Sequence, residues 1–475
     1  MRIFDSVMKK KVDFIPIRKN EVRIYLCGPT VYDNAHLGHA RCAITFDLLR
    51  RVLEANSYKV IFVKNFTDID DKIILKSKEK NESIDSITSI YIEKYLKDMH
   101  ALGVLPPTIS PKVTSNLESI FQMIEILLSK SKAYKTKNGD IYMRVEEDSK
   151  YGVLSSRANL DLQISRIGIN ESKKDSRDFA LWKIFDPTSD VAYPSPFGYG
   201  RPGWHIECSA LIQKYLAYEN EEYSIDIHAG GSDLLFPHHE NEASQSRCAN
   251  GVELSKYWMH NGLVNINGAK MSKSLGNSVF LEDILKIYNG EVLRYYLLNT
   301  HYRAKLDFSI DEMLGTKKRL DKLYRLKGRI NKAYLDSNLD SNDGLDLEFR
   351  SKFLEALSDD MNVSLGLSLI DIMIAKYNDL LSHNPKDKKI HRQIFSNIIY
   401  INKILGIGEL DSIEYFHLGV EEDLKKYIEE QIEIRAKAKA NKDYALSDKI
   451  RDSLKSKNIF LLDTKDGVVW EYIWD

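Results

Sequence analysis

The sequence is poor in cysteine, has no long apolar run and carries almost no net charge, and each shortage narrows what the chain can be. Only four cysteines occur in 475 residues, Cys27, Cys42, Cys208 and Cys248, with no close pair and no Cys-x-x-Cys motif. This argues against the disulfide framework of a secreted protein and leaves buried thiols or metal ligands. The opening Met1-Arg2-Ile3-Phe4-Asp5 runs into Lys9-Lys10-Lys11 with no apolar stretch, and no later segment approaches bilayer-spanning length. A cytoplasmic protein with no membrane partner is expected. A net charge of −1 excludes recognition of a polyanion by bulk charge, so any nucleic-acid contact must be local. There is no internal repeat and no low-complexity tract.

Hydrophobic residues at 43% and charged residues at 29% describe a soluble globular chain. A chain of 475 residues is too long for one ordinary core, and about three domains are expected. The β-prone run Val22-Arg23-Ile24-Tyr25-Leu26 ends at the turn Cys27-Gly28-Pro29-Thr30, and from Gly38 apolar residues recur at helical spacing through Leu53. Val60-Ile61-Phe62-Val63 then reads as a buried strand, which makes a parallel α/β beginning. From about 95 to 190 that rhythm is broken by Leu105-Pro106-Pro107, Pro111 and the polar stretch Asn170 to Asp175, as an insertion would break it. The pattern resumes with Ser224 to His228, followed by Gly230-Gly231 and a helix expected from Pro237. Between about 312 and 410, Leu314, Leu320, Leu323, Phe353, Leu354, Leu357, Ile370, Ile372 and Met373 predict a helical bundle. After Glu421-Glu422-Asp423 come a helix over Lys442 to Leu454 and two strands, Ile459 to Leu462 and Val468 to Trp470.

Two short polar signatures carry the chemistry. His36-Leu37-Gly38-His39 enters a helix with two imidazoles able to donate hydrogen bonds to a triphosphate, and Gly38 lets the backbone approach a flat base. Lys270-Met271-Ser272-Lys273-Ser274 lies between Asn267-Gly268 and Gly276-Asn277. A loop of that kind can carry two cationic heads to the charge that grows on phosphate oxygens during attack at phosphorus. Two basic stretches follow: eight Lys/Arg against one acid between Lys317 and Lys332, and eight against four between Ile432 and Lys457. On charge alone each reads as a solvated helix face.

Longer blocks connect these signatures. They are Cys27-Gly28-Pro29-Thr30-Val31-Tyr32-Asp33, Phe66-Thr67-Asp68-Ile69-Asp70-Asp71-Lys72, Arg201-Pro202-Gly203-Trp204-His205-Ile206-Glu207-Cys208-Ser209, Phe236-Pro237-His238-His239-Glu240-Asn241-Glu242 and Asp448-Lys449-Ile450-Arg451-Asp452. With them the chain resembles the class I aminoacyl-tRNA synthetases, specifically their cysteine-activating family, over nearly its full length. The resemblance implies an α/β fold: a Rossmann-like catalytic domain in two halves (1–95 and 191–265) around a connective insertion (96–190), then a loop and stem-contact region (266–311). A helical bundle that binds tRNA (312–412) and a small mixed α/β anticodon-recognition domain (413–475) would complete it.

The resemblance further implies one zinc ion, structural and substrate-binding, on Cys27, Cys208, His238 and Glu242. Thiolate, imidazole and carboxylate are ordinary zinc ligands, and residues at i and i+4 share a helix face; on residue type alone His205, His239 and Cys248 compete. His36, His39, Lys270 and Lys273 are implied as catalytic, with Gly38, Gly230, Gly231 and Asp233 also at ATP. Gly28, Thr30, Thr67, Trp204 and His228 would line the cysteine pocket, although Trp204 would serve equally as core and Asp233 as a helix cap. Tyr444, Asp448 and Arg451 would meet the anticodon, and the two basic stretches would face tRNA phosphates. The expected partners are tRNA(Cys), L-cysteine and ATP with Mg²⁺, acting on a monomer. A soft metal–sulfur bond separates cysteine from serine better than a shaped cavity does, so no editing domain is expected. Two other readings remain open at this point: a zinc ligase that joins activated cysteine to a small amine, and a non-catalytic synthetase paralogue that binds tRNA or zinc. The segment past 410 favours the first reading over the amine ligase, and intact His36, His39 and Lys273 favour it over the paralogue.

Overall fold

Four segments whose inward residues are almost all apolar build a wholly parallel sheet in the order Glu253–Asn261, Tyr223–Gly231, Glu21–Leu26, Lys59–Lys64. The structure, a computed structural model, describes residues 1–156, 173–185, 191–266, 268–271, 278–335, 345–464 and 467–473. The chain divides into two compact units, one of Met1–Glu282, Thr300–Phe308 and Phe353–Gly366, the other of Asp283–Asn299, Ser309–Lys352 and Leu367–Asp475.

In the first unit, Ser224 to Gly230 are all buried, as expected of a central parallel strand covered on both faces. Register sets Tyr25 against His228 and His228 against Trp258, so the strands deliver their carboxyl ends to one edge, where open α/β sheets bind ligands. Helix Leu37–Ala55 links the strands Glu21–Leu26 and Lys59–Lys64 and buries Ala40, Ile44, Phe46, Leu48 and Leu53. The expected βαβ opening is therefore present.

The insertion carries its own fold. Helices Ile84–Ala101 and Leu117–Ser129 lead into an antiparallel sheet ordered Ala133–Lys135, Ile141–Met143, Phe179–Ile184, Gly200–Pro202. Its core is built on Trp182, fully buried, with Phe121 edge-on at 5.3 Å. Residues 170–172 of the polar stretch that marked the insertion lie outside the described residues. A hairpin of Arg2–Asp5 with Lys10–Asp13 was not anticipated. Asp5 organises it, accepting from the N–H groups of Val7 (2.9 Å), Met8 (2.7 Å) and Trp258 (3.0 Å).

In the second unit, helices Gly290–Asn299, Ile310–Gly328 and Lys388–Leu405 supply the expected bundle. Met313, Leu320, Leu323, Tyr324 and Leu326 form the buried stripe of the second of these, whose first turn is capped by Ser309. One anticipated core residue is not core: Ile372 is 64% exposed. The last residues form helices Glu422–Ala440 and Tyr444–Lys455 and the antiparallel hairpin Ile459–Thr464 with Gly467–Tyr472, packed on Ile428, Ile450, Leu454, Ile459 and Trp470.

Glu291 sits buried in this unit, accepting from the Tyr324 hydroxyl and the Gly408 N–H. Burial raises its pKa to about 7 in spite of both bonds. An unfolded carboxyl ionises near about 4.3. Between these values the folded state holds a proton that the unfolded state has released, so rising pH removes stability. Thermal unfolding should therefore show Glu291→Gln gaining on the wild type as pH rises from 5 to 7.5, by up to roughly 3 kcal/mol for the unit. Parallel pH profiles for the two proteins would contradict this.

Candidate functional site

At the carboxyl edge of the parallel sheet, four side chains from four segments meet without solvent. Cys27 follows the strand Glu21–Leu26, Cys208 lies in helix Trp204–Tyr215, His238 in the turn Leu235–His239, and Glu242 in the first turn of Glu240–Asn250. The separations are 3.9 Å between the two sulfurs, 3.8 Å from Cys27 Sγ to Glu242 Oε1, 3.6 Å from Cys208 Sγ to His238 Nε2 and 2.9 Å from His238 Nε2 to Glu242 Oε1. Two thiolates bound at about 2.3 Å to one tetrahedral ion would lie about 3.8 Å apart. Local structure here differs from the expected regular helix starting at Pro237. Phe236 is extended (φ −141°, ψ 131°) and the α-helix begins only at Glu240, yet helical dihedrals at His239 preserve the i, i+4 meeting of His238 and Glu242.

Histidines surround this quartet. Glu242 Oε2 pairs with His228 Nε2 at 2.8 Å, and His238 Nδ1 meets His205 Nδ1 at 2.9 Å. His239 Nε2 lies 3.4 Å from Cys27 Sγ, while its Nδ1 is 2.8 Å from His260 Nε2, and the Nδ1 of His260 reaches Ser6 Oγ at 2.8 Å. A second set able to hold a metal, Cys27, His228, His239 and Glu242, thus overlaps the first. Trp204 stacks on His238 at 4.2 Å and 21°, and at 38% exposure it is a wall of the site rather than core. His228 in turn stacks on Trp258 at 4.7 Å.

Electrostatics separates these groups by role. Burial penalises the Glu242 carboxylate, but His238 and His228 bring its pKa down to about 2. Burial likewise disfavours charge on His238, and Glu242 and Cys208 overcome it, raising the pKa to about 10. The Cys27 S–H stabilises the Cys208 thiolate and lowers its pKa to about 6, against the burial penalty. Burial keeps His205, His239 and His260 neutral, the last at about 3. A buried anion cluster of this kind is costly unless cations neutralise it.

The two polar signatures adjoin each other. His36 caps helix Leu37–Ala55 in a reciprocal arrangement: its Nδ1 accepts from His39 N–H (3.4 Å), His39 Nδ1 accepts from His36 N–H (3.2 Å), and the rings stack at 3.8 Å. Lys270 ends the strand Ala269–Lys270, and 272–277, including Lys273, lie outside the described residues. Both approaches to that loop are fixed beside His36 and Gly38. A Cβ on Gly38 would stand 3.5 Å from the Met271 methyl, Phe280 bridges to His36, and Leu37 N–H donates to Val279 O at 3.1 Å.

Gly28, Thr30 and Thr67 lie on adjacent segments above the sheet. Thr30 bridges to Thr67, whose hydroxyl is 3.3 Å from Glu207, and Gly28 N–H donates to Asn65 Oδ1 at 2.8 Å. Gly230 and Gly231 end the strand Tyr223–Gly231 and keep room beside the His239 ring and Asp233. The N-cap positions after Asp233 are held by Leu234 and His239.

In the second unit, the first basic stretch is partly engaged within the fold. Lys317 pairs with Asp321, Arg319 with Asp371, Arg325 with Glu471 and Lys332 with Asp411, while Lys327 and Arg329 donate to Gly408 and Asn378. Lys318, Lys322, Arg325, Arg329 and Lys332 are exposed there, as are Lys437, Lys442, Lys449, Lys455 and Lys457 in the second stretch. Near the C-terminus, Arg435, Lys439 and Arg451 converge on Asp463. Tyr444 is 63% exposed and shares a face of helix Tyr444–Lys455 with Asp448 and Arg451.

The family described as "tRNA synthetases class I (C) catalytic domain" matches residues 13–318. The fold is also that of Mycobacterium tuberculosis methionyl-tRNA synthetase in complex with methionyl-adenylate, with a TM-score of 0.60 at 13% identity over 82% of this chain and 92% of that one. The parallel sheet, the adjoining signatures and the family match define a class I aminoacyl-tRNA synthetase. Relatives fix the branch: the cysteine–tRNA ligases of Wolinella succinogenes (55% identical over 471 residues, 99% of each chain) and Helicobacter hepaticus (53% over 485 residues, 99% of each) align along the whole length. The chain belongs to the cysteine–tRNA ligase family.

Sequence reasoning named His205 and His239 only as rival ligands and missed His260, Trp258 and Tyr25. Their signal is positional: His260 and Trp258 close one strand, and Tyr25 faces His228 on another, at the sheet edge where ligands bind. The closest approach in the site concerns Gly28, where an added Cβ would meet Asn65 O at 1.5 Å. Gly28→Ala must displace Cys27 or the 65–67 segment, and should cost about 3 kcal/mol, read as a lowered Tm. An unchanged Tm would show that the approach is not enforced.

Proposed function

We propose that Cys27, Cys208, His238 and Glu242 hold one zinc ion at the floor of the cysteine pocket, and that this makes the ligase selective for sulfur. The carrying observation is that two thiols, an imidazole and a carboxylate bring their ligand atoms within 4.8 Å of one another, with the two sulfurs 3.9 Å apart, close to the separation a tetrahedral ion would impose. Two sulfurs distinguish this set from the overlapping one that has His228 and His239 in place of Cys208 and His238. Soft donors favour zinc over hard cations. His228 and His205 then hydrogen-bond Glu242 and His238 from outside the metal and fix their orientation. When bound, zinc supplies a soft acceptor for the substrate's sulfur, which serine's hydroxyl cannot match.

Trp204, Gly28, Thr30, Thr67 and His228 enclose the amino acid in this reading. His36, Gly38, His39, Gly230, Gly231 and Asp233 take ATP, which brings Mg²⁺, and Lys270 and Lys273 approach its phosphates from the loop. The cysteine carboxylate attacks the α-phosphorus, pyrophosphate leaves, and the terminal ribose of tRNA(Cys) then displaces AMP from the acyl carbon. Positioning and charge stabilisation carry the first step, and no side chain is needed as a nucleophile. Tyr444, Asp448 and Arg451 form the anticodon-reading face, with Arg451 aligned by Asp463. Among the described residues no helix is long and apolar enough to cross a membrane, and a cytoplasmic monomer is the state in which we place the enzyme.

Elemental analysis after dialysis should find about one zinc per wild-type chain and little in Cys27→Ser or Cys208→Ser. Both variants should lose cysteine-dependent ATP–pyrophosphate exchange. Stoichiometric zinc retained in both variants would overturn the assignment.

A further inference from the structure

Behind the adenylation site, between helices Leu37–Ala55 and Ile84–Ala101, lies a separate cavity of about 160 Å³. Its walls are mainly apolar, with Leu26, Phe62, Phe66, Met99 and Leu105 among them. Lys64, the last residue of a sheet strand, also lines it and is only 8% exposed. A buried ammonium is costly unless an anion or several acceptors meet it. Its ammonium donates to the Tyr95 hydroxyl and stands 4.7 Å from the centre of that ring, and among the described residues no carboxylate pairs with it. Of the other ionisable groups on the wall, Asp47 is engaged with Arg51 (2.8 Å) and the Leu105 N–H (2.9 Å) and Arg50 with Glu54 (2.9 Å) and Pro106 O (2.7 Å), while His100 stands at the exposed rim.

We propose that this cavity is a binding site for a small apolar monocarboxylate, with the carboxylate on Lys64 and the hydrocarbon body against the aromatic and aliphatic walls. The size fits, since a cavity of about 150 Å³ takes one six-membered ring. Its charge selects the class. One uncompensated cation among apolar walls matches a monoanion, whereas an amine would be repelled and a phosphate dianion left half neutralised. The position gives the site a consequence. Tyr95 lies edge-on to both His39 (6.5 Å) and Phe66 (5.8 Å), and Phe66 and Leu26 directly precede Thr67 and Cys27. An occupant therefore shares walls with the adenylation site without taking the place of cysteine or ATP.

The test uses the full-length, zinc-loaded protein with benzoate as probe and benzyl alcohol as its neutral counterpart, followed by calorimetry and ligand-observed NMR. Binding is measured without and with saturating cysteine and a non-hydrolysable ATP analogue. Benzoate should bind, and Lys64→Met should weaken it about tenfold or more while leaving benzyl alcohol unaffected. Leu96, 47% exposed on the cavity wall, gives a second variant that spares the interior: Leu96→Trp should obstruct both probes. The proposal is overturned if benzoate fails to bind, if either variant binds it as the wild type does, or if cysteine displaces it. Should Lys64→Met not fold, Leu96→Trp decides alone.

Discussion

The carboxylate of Glu242 is the contact on which the site depends. It lies fully buried between His228 on a central strand, His238 in the preceding turn and Cys27 at the end of a neighbouring strand. One carboxylate thereby ties the sheet to the helix Glu240–Asn250 and fixes the spacing of every donor around it. The arrangement is expensive as an isolated set of side chains, because charges are desolvated and thiols crowd the acid. A divalent cation among these donors would offset that cost, so in the proposed reading the metal that selects sulfur would also stabilise the pocket. Glu240, two residues earlier and equally buried, accepts from the N–H groups of Gly152 and Ser155 at 2.8 Å and anchors the insertion to the same helix.

The turn that carries His36 and His39 is organised by backbone rather than by charge. His36 and His39 satisfy the helix start reciprocally, and both ends of the loop that carries Lys273 are tied to the same turn through Met271, Val279 and Phe280. Two signatures 230 residues apart thus share one support. Residues 271 and 278–280, which flank the second signature, are thereby held at the helix start that carries the first.

Much of this was legible in the residues. The alternation of Val22 to Leu26, the helical spacing after Gly38 and the apolar run at Val60 locate the parallel sheet, because periodicity reports burial directly. The zinc donors were less so: type and spacing left His205, His239 and Cys248 in contention, and only the blocks shared with a family singled out four. Distance in the folded chain sets two of these apart, since Cys248 points to Glu147 O and His205 meets the quartet at His238, whereas His239 stays in contention at 3.4 Å from Cys27 Sγ. Charge counts say nothing about partners: Arg325, Lys327 and Lys332 meet acceptors far away in sequence, which the composition of the stretch does not announce. The N-terminal hairpin was equally unreadable, because its register rests on Asp5 contacts with Trp258 across the chain.

The most direct measurement of how the metal is held is X-ray absorption at the zinc edge of the loaded protein without substrate. The quartet of Cys27, Cys208, His238 and Glu242 predicts two sulfur and two nitrogen or oxygen donors, with sulfur at about 2.3 Å. One sulfur with three lighter donors would place the ion among Cys27, His228, His239 and Glu242 and would contradict the account of sulfur selectivity given above.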